Sequence, residues 1–189
     1  MSIFQAELDI ATISLDKTLE TECQKLFEAT DFTVATAETV SGGIIGNTLK
    51  SITTKKNNYI ASIVCDHPSA FKKFFALDID SKRVFSESNT IAMAKGVAQT
   101  LGTNIGLSCT GIIGYPDEYK VSRAKIILGF YFNHNEAIKT LNIMGTKPVI
   151  LKQVMQASLA YLKNYFVKFS NINETKEVIN KWMKIKKKH

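Results

Sequence analysis

Apolar positions along the chain switch between helical and strand spacing, and this predicts alternating elements. Helical spacing predicts helices over 16–29, 42–51 and Glu87–Leu101, and a long helix that begins at Pro148. Short apolar runs predict buried strands over 32–37, 59–65 and 105–109, and further strands over 124–132 and 136–143. The last two flank Asn133-His134-Asn135, a spacing typical of a hairpin. This order indicates a three-layer α/β/α fold with a mixed, mostly parallel sheet that contains one C-terminal hairpin.

Length and charge divide the chain into a core domain and a basic end. A chain of 189 residues with 45% apolar content can bury one substantial core, so we expect one α/β domain over 1–170. Residues 171–189 are expected to form an appended amphipathic helix with a basic tail, since Val178, Trp182 and Ile185 fall on one side. Six lysines and one glutamate between Lys176 and His189 supply most of the net charge of +7. Such a tail can contact an acidic partner, but a solvated, solubilising end is the favoured interpretation.

Several classes of protein are disfavoured by composition. No apolar run approaches the roughly 20 residues of a membrane span, and the N-terminus has no secretory pattern, so we expect no membrane partner. Three widely spaced cysteines without a Cys-x-x-Cys motif predict reduced buried thiols, a cytoplasmic location and no metal site. Only Arg83 and Arg123 offer the guanidinium fork used in bidentate readout of bases, so we expect no nucleic-acid partner.

The segment 35–43, Ala-Thr-Ala-Glu-Thr-Val-Ser-Gly-Gly, carries the clearest chemical signal. It predicts a strand, a tight turn and a helix N-terminus, where free backbone N–H groups can hold an anion. Hydroxyls beside such a turn can be nucleophiles, ligand contacts or helix caps. From the residues alone, a capped turn with Ser41 as the N-cap is favoured over a ligand site.

Four motifs in order resemble the CinA C-terminal domain family, the nicotinamide-mononucleotide amidohydrolase fold. The family pattern A-E-S-x-T-G-G stands here as Ala-Glu-Thr-Val-Ser-Gly-Gly over 37–43. A strand ending in Y-S-N-E-A-K is matched by the strand from Tyr59 and the following His-Pro-Ser-Ala-Phe-Lys over 67–72. V-S-E appears as Phe-Ser-Glu over 85–87, and T-G-I-A-G-P as Thr-Gly-Ile-Ile-Gly-Tyr-Pro over 110–116. The resemblance extends over about 12–168 and implies the family's α/β fold.

The resemblance also implies a catalytic set, and two of its three members differ here. The family uses a serine nucleophile with a nearby tyrosine and lysine that manage its proton. These positions become Thr39, His67 and Lys72. Thr39 keeps a hydroxyl, but its methyl group restricts χ1 and crowds the line of attack. His67 or a desolvated Lys72 would have to act as the base.

The resemblance further implies ligand contacts at the first turn and after the third core strand. These positions are Glu38, Ser41, Gly42, Gly43, Thr110, Gly111 and Gly114. The family's glycine-rich ligand loop is replaced by the bulkier 115–123, so close backbone approach becomes costly. We therefore expect this loop to be displaced or to close part of the pocket, with Tyr115 and Tyr119 packed rather than free to stack on a ring. We also expect Thr39, Ser41, His67 and Lys72 to converge on one pocket beyond the strand ends.

Three functional hypotheses follow. The favoured one is a nucleotide-binding or regulatory relative with weak or no amidase activity, because groups that act as a unit lose most of their catalysis together. The alternatives are an active nicotinamide-mononucleotide deamidase with Thr39 as nucleophile, and an interaction or scaffold protein that uses its terminal helix. We expect a small-molecule nucleotide as partner, a homo-oligomer, and no cofactor.

Overall fold

The computed structural model describes residues 17–53, 57–79 and 85–169. Its elements in chain order are α1 (Lys17–Glu28), β1 (Val34–Glu38), α2 (Ile44–Ile52), β2 (Tyr59–Val64), α3 (Pro68–Phe75), α4 (Glu87–Leu101), β3 (Ile105–Ile113), β4 (Ser122–Phe132), β5 (Asn135–Gly145) and α5 (Lys147–Phe169). The predicted helix over 171–189 lies outside the described residues. Within them, no helix combines the length and apolar character needed to cross a membrane.

The five strands form one mixed sheet in the order β2-β1-β3-β4-β5. Strand β1 is parallel to both β2 and β3, whereas β4 is antiparallel to both β3 and β5. The predicted α/β class is confirmed, and among the described strands β4 alone opposes the common direction. The prediction of a single hairpin was incomplete. The short connection from β3 to β4 makes a second antiparallel pair, so two of the four neighbouring pairs are antiparallel.

Helices cover both faces of the sheet, which gives the predicted three layers. Helices α1, α2 and α5 pack on one face around a core that includes Phe27, Leu49 and Phe166. On the other face, Phe71 of α3 and Met93 of α4 pack against Ala35 and Ala37 of β1. Strand β1 contributes side chains to both cores, Val34 on the first face and Ala35 and Ala37 on the second, and all five of its residues are buried. The carboxyl ends of β1, β2 and β3 therefore meet at one edge of the sheet.

Two elements differ from the predicted ones for physical reasons. Helix α3 was not among them, because Pro68 indicated only the end of a strand. Proline is also compatible with the first helical position, and the side chain of His67 caps the helix by accepting from the backbone N–H of Ser69. Strand β3 continues to Ile113, four residues past its predicted end, because 110–113 pair with 124–127 of β4. Pairing of this kind is not visible in the local pattern of Thr110 and Gly111.

The three cysteines are free thiols, and two of them are buried as predicted. Burial raises the pKa of the Cys23 thiol and of the Cys109 thiol to about 12. Cys65 is only partly buried, which corrects the prediction for that residue, and burial raises the pKa of its thiol to about 11. Each thiol is therefore protonated near neutral pH and is a poor nucleophile.

Candidate functional site

The first turn after β1 is organised around the carboxylate of Glu38. This side chain is fully buried, and Glu38 is the last residue of β1, six residues before helix α2 begins at Ile44. One oxygen, Oε2, accepts from the backbone N–H groups of Gly43 at 3.0 Å and Ile45 at 3.2 Å, and from the hydroxyl of Ser41 at 2.7 Å. The other, Oε1, accepts from the N–H of Gly46 at 2.7 Å. The carboxylate thus bonds the free N–H groups of the first turn of α2 and complements its positive dipole end.

This arrangement corrects the expected N-cap of the turn and shows what its N–H groups contact. The N–H groups predicted to hold a ligand anion already bind an anion of the chain itself, the Glu38 carboxylate. Ser41 is not the N-cap, because Gly43 has that position and makes no side-chain capping bond. The hydroxyl of Ser41 donates to Glu38 instead, and Ser41 is itself buried. Gly42 and Gly43 both have positive φ, which allows the chain to turn sharply enough for Glu38 to reach the helix end.

The polar network continues onto β2. The hydroxyl of Thr36 donates to Oε1 of Glu38 at 2.9 Å, and the hydroxyl of Ser62 lies 3.1 Å from the same oxygen. Thr36 and Ser62 are also 2.7 Å apart, across a parallel pair in register. Burial raises the pKa of the nearby Tyr59, and a hydrogen bond with Ser62 opposes that shift. These contacts explain how a fully buried carboxylate is satisfied by six hydrogen bonds.

Thr39 follows Glu38 and continues the pairing of β1 with β3. Its backbone N–H donates to the carbonyl of Cys109 at 2.9 Å, and its hydroxyl lies 3.4 Å from the same oxygen. The residue is only 4% exposed. Its hydroxyl therefore lies at the carboxyl end of β1, where it bonds to a carbonyl rather than to a base.

The two candidate bases lie on α3 and its N-cap. His67 is exposed, and its Nδ1 lies 2.7 Å from the hydroxyl of Ser69 while it accepts from the N–H of Ser69. Lys72 is exposed on α3. In the described part of the chain, no hydrogen bond joins either side chain to Thr39. The expected convergence of these groups on one pocket stays a prediction.

The candidate contacts on β3 have mixed environments. Thr110 is fully buried, and its hydroxyl lies 2.6 Å from that of Thr90 on α4. Gly111 has φ of 147°, and a Cβ there would overlap the backbone of β4 at Lys125. Gly114 leaves β3 with its N–H bonded to the carbonyl of Arg123 at 2.9 Å. Thr110 and Gly111 therefore lie in close contact with neighbouring elements, and Gly114 bonds to β4 just past the end of β3.

The loop that replaces the glycine-rich segment is a compact connection between β3 and β4. Asp117 organises it: its carboxylate accepts from the N–H groups of Tyr119 at 3.0 Å and Val121 at 2.9 Å. Lys120 has positive φ at 60° and closes the turn through its N–H to the carbonyl of Asp117. Tyr115 and Tyr119 are both exposed, which corrects the expectation that they pack. The side chain of Tyr115 is completely exposed to solvent.

Sequence reasoning missed the partners that stabilise the site. Thr36 and Ser62 were not singled out, although Thr36 is two residues before Glu38 and so faces the same side of β1. That alternation was the available signal. Nothing in the sequence marks Ser62 as its partner, because the register between β1 and β2 shifts after Val34.

Comparison with known families and proteins gives a consistent match. The model of the CinA C-terminal domain matches residues 16–166. A CinA-like protein of Salinibacter ruber is 37% identical over 102 residues, which cover 52% of this chain and 25% of that protein. A CinA-like protein of Kosmotoga olearia is 27% identical over 152 residues, which cover 78% of this chain and 37% of that protein. The matched part thus spans well under half the length of these relatives.

Solved structures share the fold at low sequence identity. The competence damage-inducible protein A of Klebsiella pneumoniae superposes with a TM-score of 0.71 at 17% identity, covering 83% of this chain and 100% of that chain. The competence/damage inducible protein of Agrobacterium tumefaciens gives a TM-score of 0.61 at 16% identity, covering 79% of this chain and 96% of that chain. At such identities the likeness concerns the fold alone.

Proposed function

The chain belongs to the CinA C-terminal domain family, and from that premise we propose that it is a nucleotide-binding or regulatory relative with weak or no amidase activity. The resemblance of its motifs makes nicotinamide mononucleotide the ligand to test first. The order of the family's motifs is retained along the chain, whereas two of the three residues expected to perform the chemistry differ from the family pattern.

One observation carries the proposal: the hydroxyl of Thr39 has no base bonded to it among the described residues. It is buried and lies 3.4 Å from the carbonyl of Cys109. A hydroxyl needs a base within hydrogen-bond reach to attack an amide at neutral pH. His67, whose imidazole is the side chain most often used as a general base, uses Nδ1 to cap α3.

The occupied helix end supports the same conclusion. An amidase stabilises the oxyanion with N–H donors that are aimed at it before the reaction. Here Gly43, Ile45 and Gly46 donate to Glu38, and the N–H of Gly42 donates to the carbonyl of Thr39. Recruiting the N–H of Gly43, Ile45 or Gly46 for a substrate would leave part of the buried carboxylate unsatisfied, which is costly.

The test separates binding from turnover with the same preparation. Calorimetric titration with nicotinamide mononucleotide should show binding, and a steady-state assay should show little or no release of ammonia. Lys72→Ala should weaken binding by about fivefold through loss of one charge contact to the phosphate. Lys73→Ala is the matched control, because Lys73 is the next residue of α3, is also exposed, and lies over the ring of Phe74.

Three outcomes would decide against the proposal. Clear turnover that Thr39→Ala abolishes would identify an active deamidase with Thr39 as its nucleophile. Turnover unaffected by Thr39→Ala would move the chemistry to another site. Absence of nucleotide binding would favour the interaction or scaffold hypothesis. Thr39→Ser combined with His67→Tyr is expected to raise turnover more than either single change, because such groups act non-additively.

A further inference from the structure

On the face of the sheet that α3 and α4 cover, one end of strands β3, β4 and β5 is not covered by a helix. Helix α4 packs on β3, β4 and β5, and it begins at Glu87. The carboxylate of Glu87 accepts from the hydroxyl of Thr140 on β5 at 2.9 Å. On this face, Thr90 of α4 contacts Ser108 and Thr110 of β3. Side chains alternate along a strand, so Ile112, two residues beyond Thr110, lies on the same face. Ile112 is 56% exposed, because it lies beyond the N-terminal end of α4 and the helix does not cover it.

The uncovered side chains form two neighbouring rows across the sheet. In the first row, Ile112 of β3 pairs with Lys125 of β4, which pairs with Asn142 of β5. In the next, Arg123 pairs with Met144, which is 65% exposed. The position before Arg123 in that row is Gly114, which has no side chain. No side chain therefore lies on the β3 side of Arg123 in this row.

These residues line a concavity of about 530 Å³ that is open to solvent. Its lining residues are Ile112, Gly114, Arg123, Ala124, Lys125, Asn142, Ile143 and Met144. The volume lies in the range of about 300–1,000 Å³ that is typical of sites for small ligands. Its lining joins an apolar part to two positive charges and one amide, without an aspartate or glutamate among the described lining residues.

The two cations have no charged partner in the described part of the chain. Its ion pairs include Lys95 with Glu136 and Lys163 with Glu22, and none involves Arg123 or Lys125. In the adjacent loop, Asp117 is bonded to backbone N–H groups of the loop itself. Glu118, the other acid of the loop, is exposed at its tip. Two neighbouring cations on one face repel each other, and an incoming dianion relieves that repulsion.

We infer that this concavity binds the phosphate of a phosphate monoester that carries an aromatic or apolar group. Arg123 provides a planar fork that fits two phosphate oxygens, and Lys125 provides a second charge from the same face of the same strand. Asn142 can donate from its amide, and Ile112 and Met144 give the organic group an apolar surface. The identity of the natural ligand as a nucleotide rests on the proposed function, but recognition of an aryl phosphate by these residues does not.

The experiment uses the full chain and phenyl phosphate as the probe. Amide NMR titration should show saturable shifts that cluster on 112–114, 123–125 and 142–144. Arg123→Gln and Lys125→Gln should each weaken binding about five- to tenfold, and added salt should weaken it further. Both residues are exposed, so unchanged spectra elsewhere confirm that each variant folds.

The matched control is Lys139→Gln. Lys139 is an exposed lysine on β5 opposite Leu128, whose side chain belongs to the core on the other face of the sheet. The Lys139→Gln variant should bind phenyl phosphate with the same affinity as the unaltered chain. Equal weakening by Lys139→Gln would reduce the effect to general attraction by a basic protein and overturn the inference. Absence of shifts at millimolar probe, or shifts confined to 39–43, would overturn it as well.

The result is separable from that for the nucleotide. Phenyl phosphate bound at the concavity while nicotinamide mononucleotide neither binds nor reacts would refute the proposed function and leave this inference standing. Nucleotide binding that is insensitive to both Arg123→Gln and Lys125→Gln, without phenyl phosphate binding, would refute this inference and leave the proposed function standing.

Discussion

At the scale of single residues, Glu38 decides what the first turn can do. The family resemblance alone makes this glutamate a ligand contact, yet its carboxylate accepts six hydrogen bonds from the chain and is fully buried. It satisfies the start of α2 and connects that helix to β1 and, through Ser62, to β2. Glu38 therefore acts as a structural anion at the place where a bound anion was expected.

Replacing Glu38 by glutamine should destabilise the protein strongly. The side-chain NH₂ group of glutamine would face backbone N–H donors, so at least one buried donor would lose its acceptor. We expect the free energy of unfolding to fall by about 3 kcal/mol. Urea denaturation followed by circular dichroism measures this.

Glu136→Gln is the control for the loss of one negative charge. Glu136 is half-exposed and lies 3.8 Å from Lys95, so its loss should change the free energy of unfolding by no more than about 0.5 kcal/mol. Similar small effects for both variants would show that the hydrogen bonds of Glu38 contribute little to stability.

At the scale of elements, the contact between α4 and β3 depends on one glycine. A Cβ placed on Gly106 would overlap the carbonyl oxygen of Ala94 on α4. The helix backbone thus packs directly onto the strand, and Ser108, two residues further, can donate to the carbonyl of Thr90 at 2.6 Å. This close approach positions the start of α4 beside the sheet edge that carries the candidate site.

Gly106→Ala should force α4 away from β3. Because the obstacle is backbone rather than a flexible side chain, we expect a loss of about 3 kcal/mol in the free energy of unfolding. Gly102→Ala is the comparison: that residue has φ of 63° but open space around it, so only a backbone cost of about 1 kcal/mol applies. Thermal and urea unfolding of both variants measure the difference, and equal losses would contradict a packing origin.

Most elements could be predicted from periodicity, since long apolar patterns such as Glu87–Leu101 specify their own structure. Helix α3 could not, because a short segment after a proline is compatible with a loop or with a capped helix. The end of β3 could not either, since Thr110 and Gly111 are in a strand only because β4 pairs with them. Elements with local signals were thus predictable, and elements defined by distant partners were not.

At the scale of the whole molecule, the layers and the sheet class could be predicted, but the contents of the site could not. The motifs correctly indicated the edge at which Glu38 and Thr39 lie. They did not indicate that the Glu38 carboxylate fills the helix end, because that depends on the sharp turn through Gly42 and Gly43. The concavity could not be predicted either, because it depends on which residues of β3 and β5 pair with Arg123 and Lys125 of β4.

The strand order has a consequence for how the chain folds. Strands β3, β4 and β5 are consecutive, and Phe132 pairs with Asn135 across a tight turn. Strand β1, by contrast, pairs at Val34 with Ile105, far along the chain. Closing a long loop costs more entropy than closing a short one, so the consecutive strands should pair first and provide the edge onto which β1 and β2 are added. Pulse-labelling hydrogen exchange during refolding should then find amides of 122–145 protected before those of 34–38, and the opposite order would contradict this sequence of events. The half of the sheet that holds the basic concavity would form early, and the half that holds Glu38 would be the last to become native.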